Sequence, residues 1–321
     1  MTESSPGSAP EPLRIRPLAE RRNLVRKDQF AAVLPPVDGF LAWFESLPDI
    51  YGGRALKEVV AAVVGAREQG REVGLALGAH VLKVGLSPLL IDLMRRGFVT
   101  HVATNGAGAI HDWETAFQGE TSEDVAANLA DGSFGFWRET FGGFRSAVER
   151  AKKTGEGLGQ AVGRSILEAS LPHRGLSVFA EAARLGIPAT VHVAIGCDIV
   201  HMDPELDGAA MGAASTRDFW ILADSVGRLE RGVWLNVGSA VIMPEVFLKA
   251  VSIARNRGRL SDDFLTCNFD MLQPYRALTN VVQRPPRKGL SVLAMHEIVL
   301  PLLHQAILCT AASRGRLAEP R

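Results

Sequence analysis

Apolar residues recur along this chain in two alternating rhythms. Short, nearly uninterrupted runs cover 73–77, 99–104, 189–195, 232–237, 264–268 and 289–294. Runs of this kind predict strands buried on both faces, the usual state of a strand in a parallel sheet. Between them the apolar period lengthens to that of a helix, as at Leu56, Val59, Val60, Val63 and Val64. The longer period predicts helices over 56–69, 88–96, 121–129, 134–152, 158–169, 177–185, 244–257 and 297–312, with Gly97 stopping the second. Residues 203–212, with Pro204 and several small side chains, read as a loop. Strand followed by helix, repeated, predicts an α/β fold in which an open parallel sheet carries helices on both faces.

Two glycine-rich turns follow β-branched runs: Val102-Ala103-Thr104-Asn105-Gly106-Ala107-Gly108-Ala109-Ile110-His111-Asp112, and Trp234-Leu235-Asn236-Val237-Gly238-Ser239-Ala240-Val241-Ile242. Small residues between a strand and a helix let backbone N–H groups approach a phosphate at the helix N-terminus. Each turn is a candidate nucleotide or anion cradle, and each is equally a tight strand-to-helix connection, since neither completes G-x-G-x-x-G.

Composition narrows the class. A chain of 321 residues, 47% hydrophobic and 22% charged, can bury a large core. Lys plus Arg (35) balances Asp plus Glu (35) with no long basic block, which argues against a nucleic-acid partner. Cys197, Cys267 and Cys309 are widely spaced with no C-x-x-C, which fits a reducing cytoplasm better than a disulfide framework. No basic segment precedes an apolar one at the start, and charged residues or Gly interrupt the longer apolar runs, so neither a signal peptide nor a membrane partner is expected. Residues 1–12, rich in Ser, Pro and Glu, read as a disordered tail. Residues 13–40 read as a basic arm or solvated helix, 41–312 as a single α/β domain, and 313–321 as a C-terminal tail.

Histidines gather at expected strand ends, where open α/β sheets place their ligands. His192, Cys197, Asp198 and His201 surround one, and His111-Asp112 and His296-Glu297 adjoin others. Imidazoles beside carboxylates can shuttle protons or ligate a metal, or serve as buried structural groups. Their spacing matches no zinc signature, so no metal site is assigned. His80, beside Gly78, either contacts a nucleotide or packs.

Taken in order, the segments resemble deoxyhypusine synthase and its bacterial, homospermidine-synthase-like relatives over roughly 41–308. Gly78-Ala79-His80-Val81-Leu82-Lys83-Val84-Gly85 is similar to that family's Ser-Asn turn, and 104–112 to its Thr-Thr-Ala-Gly-Gly-Val-Glu-Glu-Asp segment. Residues 187–198 resemble its Ile-Pro strand and following Asp turn, and 236–245 its Gly-Gly-Gly-Val-Val-Lys-His-His segment. Asn268-Phe269-Asp270 and 292–303 resemble its last loop and closing helix. The resemblance implies a Rossmann-like fold, bound NAD, and a homotetramer with active sites at subunit interfaces. It also implies hydride removal beside an amine of spermidine, with an active-site lysine capturing the resulting imine.

This sequence departs from that pattern where the chemistry lies. No lysine stands near 282–284, and Lys288 is the only one in 268–288; arginine cannot replace it, because a guanidinium stays protonated. The paired glutamates read Ile110-His111, and Lys-His-His reads Met243-Pro244-Glu245. The expectation is therefore an NAD-binding enzyme that oxidises, or transfers an aminoalkyl group of, a polyamine or other amine-bearing small molecule. His80, Thr104, Asn105, Gly106, Gly108, Gly238, Ser239 and Ala240 would contact NAD. His111, Asp198, Glu245, Asp270 and His296 would be catalytic, and Asp112, His192, His201 and Lys288 would meet substrate. The alternatives are a lyase or metal-assisted hydrolase working through His192, Asp198, His201 and His296, or a non-catalytic homologue.

Overall fold

The computed structural model describes residues 13–27, 30 and 39–321; the expected tail over 1–12, with 28–29 and 31–38 of the expected arm, lies outside the described residues. Along the chain the elements are β1 (Asn23–Arg26), α1 (Phe40–Glu45), α2 (Tyr51–Glu68), β2 (Val73–Leu77), α3 (Ala79–Lys83), α4 (Ser87–Arg95), β3 (His101–Asn105), α5 (Gly106–Gln118), β4 (Glu120–Glu123), α6 (Val125–Ala130) and α7 (Arg138–Thr154). There follow α8 (Leu158–Glu168), α9 (Val178–Leu185), β5 (Ala189–His192), α10 (Gly208–Val226), β6 (Val233–Val237), α11 (Ile242–Asn256), β7 (Leu265–Asp270), α12 (Tyr275–Ala277), β8 (Lys288–Leu293) and α13 (His296–Ser313). Six strands form one parallel sheet in the order β5-β3-β2-β6-β7-β8. This is the Rossmann-like α/β arrangement that the strand–helix rhythm and the resemblance together led one to expect.

Successive strand residues face opposite sides, and the two sides carry different cores. Leu75, Leu77, Val102, Val233, Leu235 and Val237 enter the larger, packed by α2, α4, α5, α8, α9 and α13. Ala76, Ala103 and Trp234 enter the smaller, under Leu222 of α10 and Met243 and Phe247 of α11. Trp234 stacks on Phe247 with ring centroids 4.4 Å apart, and the missing side chain of Gly74 on the neighbouring strand makes room for its indole. Helices on both faces leave the loops at the carboxyl ends of the strands as the open edge. Strand order reverses between β2 and β6, so the crevice of this fold class opens there.

Three local expectations change. Residues 121–123 are not helical: Ser122 sits at φ 69, and β4 pairs antiparallel with β1. The expected loop over 203–212 ends in the start of α10, whose first turn is capped by Asp207 Oδ1 accepting from Ala210 N at 2.9 Å. The basic stretch is not a solvated helix; Leu18 and Arg21 are buried, and 23–26 form β1. At the other end, Arg67 and Arg96 donate to the carbonyls of Arg316 and Ala318, and Arg184 to that of Arg321, so 316–321 lies against the helices.

Candidate functional site

At the reversal point the chain turns out of β2 and β6 with glycine in both places. A Cβ on Gly78 would lie 1.9 Å from the Gly238 carbonyl oxygen, so only glycine allows the two backbones this close. Gly238 has φ 68, and a Cβ there would meet the His296 ring at 2.7 Å. His296, at the start of α13, bonds the Phe269 carbonyl through Nε2 at 3.2 Å, and its buried Nδ1 has no partner. Its ring lies 5.5 Å from that of His80 on α3. Burial and the neighbouring His296 hold His80 below the usual imidazole range, against the pull of Glu297 and Asp270. Beneath them Asn236 donates to Asn268 Oδ1 (2.7 Å) and to the Ser239 carbonyl (2.9 Å), leaving Asn236 Oδ1 and Asn268 Nδ2 buried and unpartnered. Ser239 Oγ accepts from Met243 N at 3.2 Å, Ala240 is exposed at the lip, and Asp270 closes β7.

The first glycine turn is used differently. Thr104 donates to the Leu77 carbonyl, and Asn105 caps α5 by accepting from Gly108 N at 3.0 Å. The place a phosphate would take above α5 is held by Asp198, whose Oδ2 would lie 2.1 Å from a Cβ on Gly106. Burial raises the Asp198 carboxyl, opposed by His201 and by the amides of Ala107 and Ala194. His201 in turn accepts from the backbone of Gly196 and Asp198 through Nδ1, so it braces this carboxylate rather than facing a substrate. Thr104, Asn105, Gly106 and Gly108 therefore build the turn and seat Asp198.

Beside α5 lies a cavity of about 220 Å³, lined by Arg21, Lys83, His111, Glu114, Glu123 and Asp198, with Cys197, Phe134 and Ile199 among its apolar and soft groups. Arg21 and Glu114 satisfy one another through two 2.8 Å bonds, and Thr121 and Thr140 donate to the same carboxylate. Burial pushes the Glu114 carboxyl up, but the guanidinium outweighs it and holds the group below its ordinary value. His111 is pushed down to about 4 by burial, with Nδ1 bonded to the Thr121 hydroxyl at 2.7 Å. Glu123 Oε2 accepts from Asn128 and from Gly135 N.

The structure thus groups Gly78, His80, Gly238, Ser239, Asp270 and His296 at the crevice, and His111 and Asp198 at the cavity beside it. Four expected site residues lie elsewhere. Asp112 is 1% exposed and caps α9, accepting from Ser177 and from the amides of Val178 and Phe179; burial, against those bonds, raises it to about 6. His192 is 5% exposed, bonded to Thr190, and pushed by burial to about 3. Glu245 is held by Lys249, Arg276 and Asn280. Lys288 begins β8, at the opposite edge of the sheet from the crevice, and pairs with Glu58 at 2.7 Å. Sequence reading missed Arg21, Lys83, Glu114 and Glu123. Lys83 sits in the quoted glycine-turn segment, so its nearness to a strand end was visible; the others arrive from elements that only tertiary packing brings in. Among the described residues no three His, Cys, Asp or Glu side chains stand together as a metal site, and no helix is long and apolar enough to cross a membrane.

No family model and no curated protein matches the chain. Solved structures do. AgrE in ternary complex with ornithine and NAD+ shares 15% identity at a TM-score of 0.55, covering 88% of this chain and 35% of its own. A conserved protein assigned as LOR/SDH from Methanococcus maripaludis S2 shares 14% at 0.53, covering 86% and 72%. A protein assigned as a deoxyhypusine synthase from Entamoeba histolytica shares 11% at 0.49, covering 83% and 90%. The chain spans about a third of the length of AgrE. For AgrE and the LOR/SDH protein the likeness is one of fold: a Rossmann-like parallel sheet flanked by helices.

Proposed function

We propose that this chain is a deoxyhypusine-synthase-like, NAD-dependent enzyme that oxidises an amine-bearing small molecule or transfers an aminoalkyl group from it. The observation that carries the reading is the crevice at the strand-order reversal, opening beside a cavity walled by carboxylates. The crevice fits a dinucleotide in that His296 Nδ1 and Asn236 Oδ1, at the strand-order reversal, are buried polar atoms awaiting partners. Gly78, His80, Gly238, Ser239, Ala240 and His296 would hold NAD, which when bound supplies the hydride acceptor. AgrE, of the same fold, was solved with ornithine and NAD+, which supports the pairing of this cofactor with an amine.

On the substrate side, Asp198 and Glu123 would attract an ammonium group. That ammonium must lose a proton before the adjacent carbon can give up a hydride. Asp198, raised by burial, is the carboxylate placed to take it, while the neutral His111 can pass it on. Titration of the purified protein with NAD by calorimetry is expected to show one saturable site per chain, and amines are expected to produce NADH absorbance. Absence of heat at millimolar NAD would sink the proposal.

The reading extends to a homo-oligomer. Ile195, Val241, Met271, Leu272, Leu293 and Ile298 are exposed, all at the carboxyl edge of the sheet around the crevice. A second copy laid over this apolar rim would enclose the site and exclude water from it. Sedimentation velocity should show a dimer or larger, and Leu272→Glu should shift it towards monomer with at least tenfold weaker NAD binding. A monomeric wild type that binds NAD fully would refute the extension.

A further inference from the structure

Lys83 ends α3, is half-buried, lines the cavity, and makes no hydrogen bond or ion pair among the described residues. That is unusual for an ammonium with carboxylates in the same small space. The other cation there, Arg21, is consumed by Glu114. Asp198, 4% exposed with an unpartnered Oδ2, and Glu123 come from other walls, and neither reaches Lys83 as an ion pair. Lys83 lies close enough to His80 and His111 to oppose protonation of both, which puts its charge between the crevice and the cavity. Opposite charges held apart across about 220 Å³ are complementary to one small molecule carrying both signs. A simple diamine would leave Lys83 facing a like charge.

We infer that Lys83 anchors an anionic group of the substrate, so that the amine-bearing molecule is an amino acid or similar zwitterion rather than a plain polyamine. This rests on the amine reading above and narrows it. The ammonium end meets Asp198 and Glu123, the carboxylate end meets Lys83, and His111 stands between as a neutral donor or acceptor. Lys83 is thus a specificity-determining residue, absent from the list of residues that sequence reading assigned.

The test uses three probes of equal chain length, L-lysine, cadaverine and 6-aminohexanoate, titrated by calorimetry into the NAD-saturated protein. Wild type should bind L-lysine and 6-aminohexanoate at least tenfold more tightly than cadaverine. Lys83→Met should abolish that preference, weakening the two carboxylate-bearing probes and, with the like charge gone, tightening cadaverine, while Lys83→Arg should retain it; melting temperatures within a few degrees of wild type confirm that the variants fold. Cadaverine binding as tightly as L-lysine in wild type, or a preference that survives in Lys83→Met, overturns the inference while the amine reading stands. Failure of all three probes to bind, with NAD binding intact, overturns both.

Discussion

Arg21→Ala is expected to lower the free energy of unfolding by about 3–5 kcal/mol, because it strands a buried carboxylate rather than merely deleting a contact. The Arg21 and Glu114 side chains are 2% and 1% exposed, joined by two parallel bonds of 2.8 Å. Removing the guanidinium leaves Glu114 with only the hydroxyls of Thr121 and Thr140. Burial then dominates its titration, the carboxyl rises from its present lowered value, and the variant becomes relatively more stable towards acid pH. Arg21→Met combined with Glu114→Gln removes both charges and should recover most of the loss. Urea denaturation at two pH values measures all of this. A loss under about 1 kcal/mol, the range of an exposed pair, would mean that the pair is not desolvated in solution. Because Arg21 belongs to the otherwise solvent-rich N-terminal stretch, the same measurement reports whether that stretch is fastened to the body of the fold.

Acidification from about pH 6 to pH 5 should cost roughly 1.4 kcal/mol per pH unit, and Asp218→Asn should about double that slope. Burial holds His101 and His192 down to about 3 and His111 to about 4. Their folded values lie below the unfolded one, so through this window the unfolded chain binds three more protons there and stability falls with pH. Asp112 and Asp218 oppose this: burial raises them to about 6 and about 7, so the native state binds two more protons than the unfolded chain. His80 and His173, lowered, and Asp198 and Asp203, raised, pull in opposite directions. About one net proton remains above pH 5, which gives the slope; below it the lowered carboxyls of Asp92, Glu114, Glu156 and Glu181 add to the proton uptake of the unfolded chain and steepen the fall. Asp218 is fully buried and accepts from the amides of Gly159 and Val191, so asparagine preserves its shape while deleting the proton uptake. His101→Gln should flatten the profile by the same amount. An unchanged slope in both variants would mean that these groups titrate normally in the folded protein.

What could be read from the sequence was whatever local periodicity determines. The six strands of the parallel sheet fall within a few residues of where the apolar runs put them, because apolar residues still dominate strands covered by helices even though buried polar groups such as His101, Asn236 and Asn268 interrupt them. The helix α10 was hidden for the converse reason. The first half of its buried side is mostly small or polar, with Ala210, Ala214 and Asp218 around Met211, and looks like loop composition; the apolar Leu222 and Val226 come only near its end. Strand β4 was hidden because Thr121-Ser122-Glu123 is held by β1, distant in sequence. Of the glycines at the strand ends, Gly78 lies where the backbone of the neighbouring strand's turn approaches and Gly238 where the His296 ring packs. At Gly106 the close approach is made by the Asp198 carboxylate, which the sequence could not place there. Asp112 shows the limit of reading carboxylates in one dimension: beside a histidine it suggests chemistry, and only the helix α9 that it caps reveals its use. Lys83 lies outside 268–288, where the family pattern puts its lysine, and only the packing of α3 against the cavity gives it a place at the site.

The strand order also bears on how the chain comes to fold. Strands β2 and β6 are hydrogen-bonded neighbours in the middle of the sheet, yet some 155 residues separate Leu77 from Val233. Until β6 emerges from the ribosome, one side of β2 presents an unsatisfied apolar ladder, a ready template for mispairing with another nascent chain. Closing so long a loop is entropically slow, and productive collapse of the centre must wait for it. Refolding from denaturant should therefore grow less efficient as protein concentration rises, with losses that chaperones holding the half-made sheet would prevent.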